Sequence, residues 1–134
     1  MIVLKKEFKG RIIAHSEREL PDEACGILAG RDGVVERVYE MTNAEKSPQN
    51  FFMDAKEQFK VTKEIRNLGL EMIGIYHSHV ASQAYPSAHD IELAFYPDVS
   101  YVIVSLKDKD NPSVRSFKIK DRQIDEEEVK LIDF

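Results

Sequence analysis

The sequence predicts an α/β domain built around one mixed β-sheet. Three observations predict it. Apolar runs of strand length at residues 24–30, 72–76 and 100–106 alternate with polar segments whose apolar residues recur at helical spacing. Turn signals rich in glycine, asparagine and proline separate the runs. The length of 134 residues suits one domain with enough chain to bury a core. No repeat or low-complexity tract divides it, so residues 1–134 are read as a single domain.

Taken in order, Phe8, Ile12, Ile13 and Ser16 lie at helical spacing within residues 8–19, and Pro21 marks the exit. Residues 24–30, Ala-Cys-Gly-Ile-Leu-Ala-Gly, suit a buried strand. Arg31, Asp32 and Gly33 read as a turn into a second strand at 34–40, giving a hairpin. A polar loop at 43–49 leads to Phe51-Phe52-Met53-Asp54. Asp54 with Glu57 three residues later resembles a capping box. Val61, Ile65 and Leu68 then mark one helical face, and Gly69 is its stop. Residues 72–76 form a buried strand that delivers His77. Ser87 to about Phe95 reads as a short helix, and 100–106 is the most strand-like run of all. Asn111-Pro112 turns the chain into a half-exposed strand at 114–120, where Phe117 and Ile119 alternate with lysines. The acidic stretch 125–128 and the following 129–132 fit an edge strand or a helix equally well.

Composition narrows the function. With 43% apolar and 32% charged residues, the chain has the make-up of a soluble globular protein. No apolar run approaches the ~20 residues of a membrane span. A net charge of −5 argues against a nucleic-acid partner, which needs a concentrated basic face. Residues 1–6 place their lysines after a very short apolar patch, the reverse of a secretory signal. The lone Cys25 excludes an intrachain disulfide and fits a reducing compartment, so a cytoplasmic location is expected. Nothing in the sequence fixes an oligomeric state.

The chemistry concentrates between Gly74 and Asp90. His77 and His79 are two apart, and on a strand alternate side chains project from one face, ~7 Å apart at Cα. Two imidazoles can therefore reach one metal ion, and Asp90, returning after a loop, can supply a third, anionic ligand. Three N/O ligands with a fourth position open is the arrangement of a catalytic zinc, whereas structural zincs are usually closed by four protein ligands. His89 neighbours Asp90 and points elsewhere on a helix, so it is left out. His15 reads as a surface histidine. Ser87 with Asp90 three residues on is also a helix-start signature, and the two roles are compatible because N-cap and N3 lie close together. Hydrolysis further needs a carboxylate on a separate segment to shuttle a proton. Glu23, directly before the buried strand, is a candidate, but composition does not select it over Glu19 or Asp22.

Residues 21–30, Pro-Asp-Glu-Ala-Cys-Gly-Ile-Leu-Ala-Gly, together with His77-x-His79, seven residues, then Ser87-x-x-Asp90, resemble the JAMM (MPN-plus, Mov34/PAD-1) zinc metallopeptidases. The small single-domain prokaryotic branch is the most similar, and the loop 43–54 with Phe51-Phe-Met-Asp before a helix matches as well. The resemblance covers essentially the whole chain. It implies a cytidine-deaminase-like α/β/α sandwich around one mixed, curved sheet. It implies one Zn2+ per chain on His77, His79 and Asp90, with water as fourth ligand. Glu23 would be the general base for the zinc-activated water, and Ser87 would hydrogen-bond the tetrahedral oxyanion. One position departs from the pattern: Val80 stands where many members have proline, which reshapes or loosens the loop after His79 without removing a ligand.

For compact prokaryotic members the resemblance implies a peptidase or isopeptidase. It would cut after the C-terminal Gly-Gly of a small ubiquitin-like protein of the ThiS/MoaD sulfur-carrier type. Loops 43–54 and 80–86 are then the expected groove walls, with Tyr76 and Tyr85 as lining or packing residues. Cys25, two residues from Glu23, reads as a buried hydrophobe in preference to a redox-sensitive thiol. The alternative from another class is a non-catalytic zinc-containing module that binds ubiquitin-like partners, which would have no use for Glu23. A RadC-like protein is a second alternative, disfavoured by Ser78 and Val80 around the second histidine.

Overall fold

The computed structural model describes residues 1–133. The chain runs β1 (Ile2–Lys5), α1 (Lys6–Arg18), β2 (Cys25–Arg31), β3 (Val34–Met41), α2 (Ala55–Asn67), β4 (Glu71–His79), α3 (Ala88–Glu92), β5 (Ser100–Ser105), β6 (Ser113–Lys120), β7 (Gln123–Glu127) and β8 (Val129–Ile132). The eight strands make one mixed sheet in the order β7-β6-β5-β4-β2-β3-β1-β8. β4 pairs parallel with β5, and β1 pairs parallel with both β3 and β8; the other pairings are antiparallel.

The sheet curves until it nearly closes. β7 lies on one edge and β8 on the other, yet only Glu128 separates them in sequence. The seam is held by the Ile2 amide donating to the Glu128 carbonyl at 3.0 Å and by Glu127, which accepts from Ser116 Oγ at 2.7 Å and meets the N-terminal ammonium at 2.9 Å. The undecided C-terminal stretch is thus two strands, and β1, for which the sequence carried no signal, supplies the neighbour that β8 needs.

Helices cover both faces, which is why β2, β4 and β5 read as nearly continuous apolar runs. On one face Ile12 of α1 packs with Ile2, Leu4, Leu28, Val35, Tyr76, Val102 and Val104. On the other, Ile65 of α2 and Met53 pack with Cys25, Ile27, Ile75, Ile103 and Phe117. From Ile75 onward strand alternation assigns the residues of β4 to faces: Tyr76 goes to the α1 side, while Ile75, His77 and His79 go to the α2 side. Gly26, paired with Tyr76, has no side chain because any Cβ there would collide with the Tyr76 ring.

The expected punctuation holds, with some corrections. Asp32 and Gly33 both adopt positive φ (54° and 76°), the two-residue turn that matches hairpin twist. Gly69, at φ 71°, ends α2, and the Leu70 amide reaches back to the Ile65 carbonyl at 3.0 Å. Asp54 does cap α2, accepting from the Glu57 amide at 3.0 Å, but the capping box is incomplete. Glu57 turns instead to Thr42, binding its amide at 2.6 Å and its hydroxyl at 2.7 Å, which ties α2 to the end of β3. α3 stops at Glu92, short of the expected Phe95, as the chain turns toward Pro97. His15 is not a surface residue: it is buried under α1 with Nδ1 2.7 Å from the Tyr76 hydroxyl. Among the described residues, no helix is long and apolar enough to cross a membrane.

Candidate active site

β4 carries both histidines because its pairing continues to the strand's last residue, His77 opposite Ile103 and His79 opposite Ser105 of β5. The two side chains fall on the α2 face, and α3 brings Asp90 to the same point. His77 Nε2 and His79 Nε2 are 3.1 Å apart, and Asp90 Oδ2 lies 3.2 and 3.0 Å from them. Asp90 is aimed by the first turn of α3. Its Oδ2 accepts from the Ser87 amide at 2.9 Å, while Ser87 Oγ accepts from the Asp90 amide at 3.1 Å. This is a complete capping box, so the helix start and the site are one structure. His89 is not among the converging groups.

These three atoms fit a metal ion. His79 Nδ1 donates to the Gln83 carbonyl at 2.9 Å, which leaves its Nε2 as a lone pair pointing at the other two atoms. With both imidazoles neutral and carrying their proton on Nδ1, two imidazole nitrogens and a carboxylate oxygen face each other at about 3 Å as three lone pairs. Ligands of a tetrahedral ion with bonds of about 2.0–2.1 Å stand roughly 3.3 Å apart, so a cation of zinc size relieves the repulsion with little movement. Protons on the imidazoles bind the same cluster together. Burial acts to lower His79, but its hydrogen bonds to Asp90 and Gln83 outweigh it and raise its pKa. Burial alone would raise Asp90, yet the His77 charge and hydrogen bonds from both histidines hold it well below the usual carboxylate range. Phe51 stacks on the His77 ring, centroids 4.7 Å apart at 25°, and closes that side to water.

Glu23 sits at the mouth of β2 beside this cluster. It shares a cleft of about 270 Å³ with Pro48, Gln49, His79, Ala81, Ser82 and Ser87. The residue is 4% exposed, and its Oε1 is buried with no hydrogen-bond partner. Burial pushes its pKa up to about 8, with Asp90 and Glu45 adding to the shift and His79 opposing it. Glu19 and Asp22, its rivals by composition, do not line this cleft.

The remaining candidates separate. Tyr76 points away from the site into the α1 core. Tyr85 packs edge-on to Phe117 at 5.4 Å, with the Arg115 guanidinium 5.9 Å over its ring. Cys25 is fully buried, and burial, followed by Glu57, Glu19 and Glu23, pushes its thiol up to about 12, which suits a core hydrophobe and not a reactive sulfur. Two polar residues escaped the sequence reading: Ser78, whose Oγ accepts from the Ala24 amide at 2.8 Å, and buried Asn43, whose side chain donates to the Glu23 carbonyl at 3.0 Å. Ser78's place between the two histidines was its only sequence signal, and Asn43 carried none.

Residues 5–120 match the family model described as prokaryotic homologs of the JAB domain. The chain belongs to the prokaryotic JAB/JAMM family. It is 41% identical over 135 residues to the CysO-cysteine peptidase of Mycobacterium tuberculosis, covering 99% of this chain and 92% of that protein. The desampylase of Pyrococcus furiosus is 38% identical over 85 residues, 63% of this chain and 61% of that one. Among solved structures, a protein of Desulfitobacterium hafniense matches with a TM-score of 0.92 and 46% identity, covering 100% of this chain and 94% of that chain. As a JAB/JAMM protein with peptidase relatives along its full length, the chain is a hydrolase of peptide or isopeptide bonds.

Proposed function

We propose that this JAB/JAMM protein hydrolyses the bond following the C-terminal Gly-Gly of a small ubiquitin-like protein of the sulfur-carrier type, with His77, His79 and Asp90 holding one Zn2+ and Glu23 as general base. One observation carries the reading. Three lone-pair atoms converge within about 3 Å beside a buried carboxyl oxygen that has no partner of its own. A purely structural site has no use for that orphan. The names of the relatives, a CysO-cysteine peptidase and a desampylase, support a carrier or its conjugate as substrate.

Zinc held there would lower the pKa of a bound water to near 7 and polarise the scissile carbonyl. Glu23 takes up a proton at its carboxylate and returns it to the departing amine; its burial favours the protonated form from which the return is made. Ser87 Oγ already accepts from the Asp90 amide, so its own proton is free to meet the oxygen on which charge develops. Pro48 and Gln49 form one wall of the cleft, and Val80, Ala81 and Ser82 the other. The small side chains at 81 and 82 leave room for an extended tail without side chains, bound by strand addition. With Val80 in place of proline, this wall is set by the His79 Nδ1 bond to Gln83 and by Ser105 Oγ donating to the Ser82 carbonyl at 2.6 Å.

The test uses zinc-loaded protein and a panel of Gly-Gly carriers extended by cysteine, by a short peptide or by an isopeptide-linked lysine, read by mass spectrometry. Cuts after Gly-Gly that vanish in Glu23→Gln are expected. No cut in any substrate at full zinc occupancy would replace the peptidase with a module that binds ubiquitin-like partners.

A further inference from the structure

Glu23 and Ala24 precede β2, so their backbone groups lie beyond the regular ladder and, being buried, must find partners elsewhere. Ser78 takes one half: its Oγ accepts from the Ala24 amide at 2.8 Å, and its own amide donates to the Ala24 carbonyl at 3.0 Å. The loop after β3 takes the other half. The Glu23 amide donates to the Ser47 carbonyl at 2.8 Å, and the Glu23 carbonyl accepts from Asn43 Nδ2 at 3.0 Å.

Asn43 does more than fill that position. Its Nδ2 also donates to the Asn50 carbonyl at 3.0 Å, while its Oδ1 accepts from the Glu45 and Phe52 amides, each at 3.1 Å. All four hydrogen bonds of the carboxamide are made, and only one orientation satisfies them. Reversing the group would set oxygen against two carbonyls and nitrogen against two amides. The same residue pairs with Met53 across a short bridge, closing the loop whose Phe51 ring stacks on His77. A single side chain therefore joins the backbone of Glu23 to the loop that packs on a histidine of the triad. The Glu23 carboxyl itself remains free.

We infer that Asn43 is a positioning residue for Glu23. It touches no reacting atom; it fixes the main chain from which the carboxyl projects, at the height of the His77–His79–Asp90 cluster. The inference rests on the proposed role of Glu23 as base. A misplacement of about 1 Å at a reacting group can cost roughly 10²-fold in rate, so a restraint this close to the base acts on turnover before it acts on substrate binding. The metal triad is held separately, by β4 and by the capping box of α3.

Asn43→Asp tests this at constant shape: the carboxylate can still accept from the Glu45 and Phe52 amides, but its second oxygen faces the Glu23 and Asn50 carbonyls with no proton to give. The carbonyl carbon resonance of Glu23 is expected to shift as that oxygen loses its donor, while amide exchange at Glu45 and Phe52 stays slow. Zinc bound after dialysis should match wild type. On a Gly-Gly carrier joined to cysteine, kcat should fall roughly 10–100-fold with KM within about twofold. A Glu23 carbonyl resonance that does not move, or one that moves with kcat within twofold of wild type, would overturn the inference. So would a kcat loss explained entirely by lost zinc. If Asn43→Asp fails to fold, Asn43→Ser removes the donor to the Glu23 carbonyl without adding a charge and should give the same split of kcat from KM at unchanged zinc; an unaltered kcat there would overturn the inference equally. Turnover that survives Glu23→Gln would instead sink the proposed base, whatever the Asn43 variants do.

Discussion

Buried histidine lies against each face of the sheet, His15 on one and the His77–His79 pair on the other, and the two polar clusters are finished differently. On the α1 face His15 is 3% exposed, with Nδ1 2.7 Å from the Tyr76 hydroxyl and Nε2 3.4 Å from Glu19. Its polar atoms have partners, and Gly26 clears the space in which Tyr76 lies. On the α2 face three lone-pair atoms point at each other, and Glu23 Oε1 and His77 Nδ1 have no partner. Tyr76 and His77 are neighbours on β4, so one step along a strand passes from the completed cluster to the incomplete one. Burying a polar group without a partner costs on the order of 1–3 kcal/mol. The first cluster avoids that cost; the second bears it, which marks it as the place where something further is bound or transferred.

The comparison breaks most visibly at Asp90. Asp90→Ala removes the anionic member of the triad and should lower zinc affinity by at least about 10²-fold, with turnover lost alongside. Zinc measured after exhaustive dialysis checks it, and full occupancy would show that Asp90 is not a ligand. Next comes Glu23→Gln. The three side chains proposed to hold the metal survive, so zinc should be retained while turnover drops by about 10²–10⁴-fold; activity near wild type would remove Glu23 from the reaction. The opposite face should respond in stability alone. Tyr76→Phe strips His15 of its hydroxyl partner and should lower unfolding free energy by about 1–2 kcal/mol in urea titrations, with kcat unchanged. A loss of turnover there would mean that the two faces are coupled through β4.

The smallest effect sharpens the contrast through pH. Burial lowers the His15 pKa, with Arg18 acting in the same direction and Glu40 and Glu19 opposing. The folded protein thus binds a proton at His15 less readily than the unfolded chain, whose histidine titrates near 6.5. Below that pH the unfolded state holds more protons, so this residue's contribution to stability falls as the solution is acidified. His15→Gln should flatten the acid-side slope of unfolding free energy between about pH 6.5 and 5, by less than the ~1.4 kcal/mol per pH unit of one full proton. An unchanged slope would mean that His15 keeps its unfolded-state pKa.

Spacing alone placed His77, His79 and Asp90 together, because strand alternation and a short return loop leave them few other arrangements. The helix-start pattern of Ser87 and Asp90 was legible for the same local reason, and the structure shows both carboxylate and hydroxyl in the capping box. Glu23 was different. Several carboxylates lie within a few residues of it, and only the resemblance to a family singled it out; its burial and its unpartnered oxygen become visible once β2 and loop 43–54 are folded against β4. Glu57 read as half of a capping box and turned instead to Thr42, since a partner fifteen residues back offered both an amide and a hydroxyl.

By itself the sequence determined what depends on near neighbours. These are the alternation along β2, β4 and β5, the turns at Asp32-Gly33 and Gly69, the capping box, and the triad spacing, all governed by interactions within about one turn or one loop. Tertiary structure alone decided the closure of the sheet through β1 and β8, the burial of His15 against Tyr76, and the pinning of Glu23 by Asn43 and of Ala24 by Ser78. Each of those joins residues twenty or more positions apart. No local pattern encodes them, because the free energy of a buried hydrogen bond depends on what else the fold has removed from water.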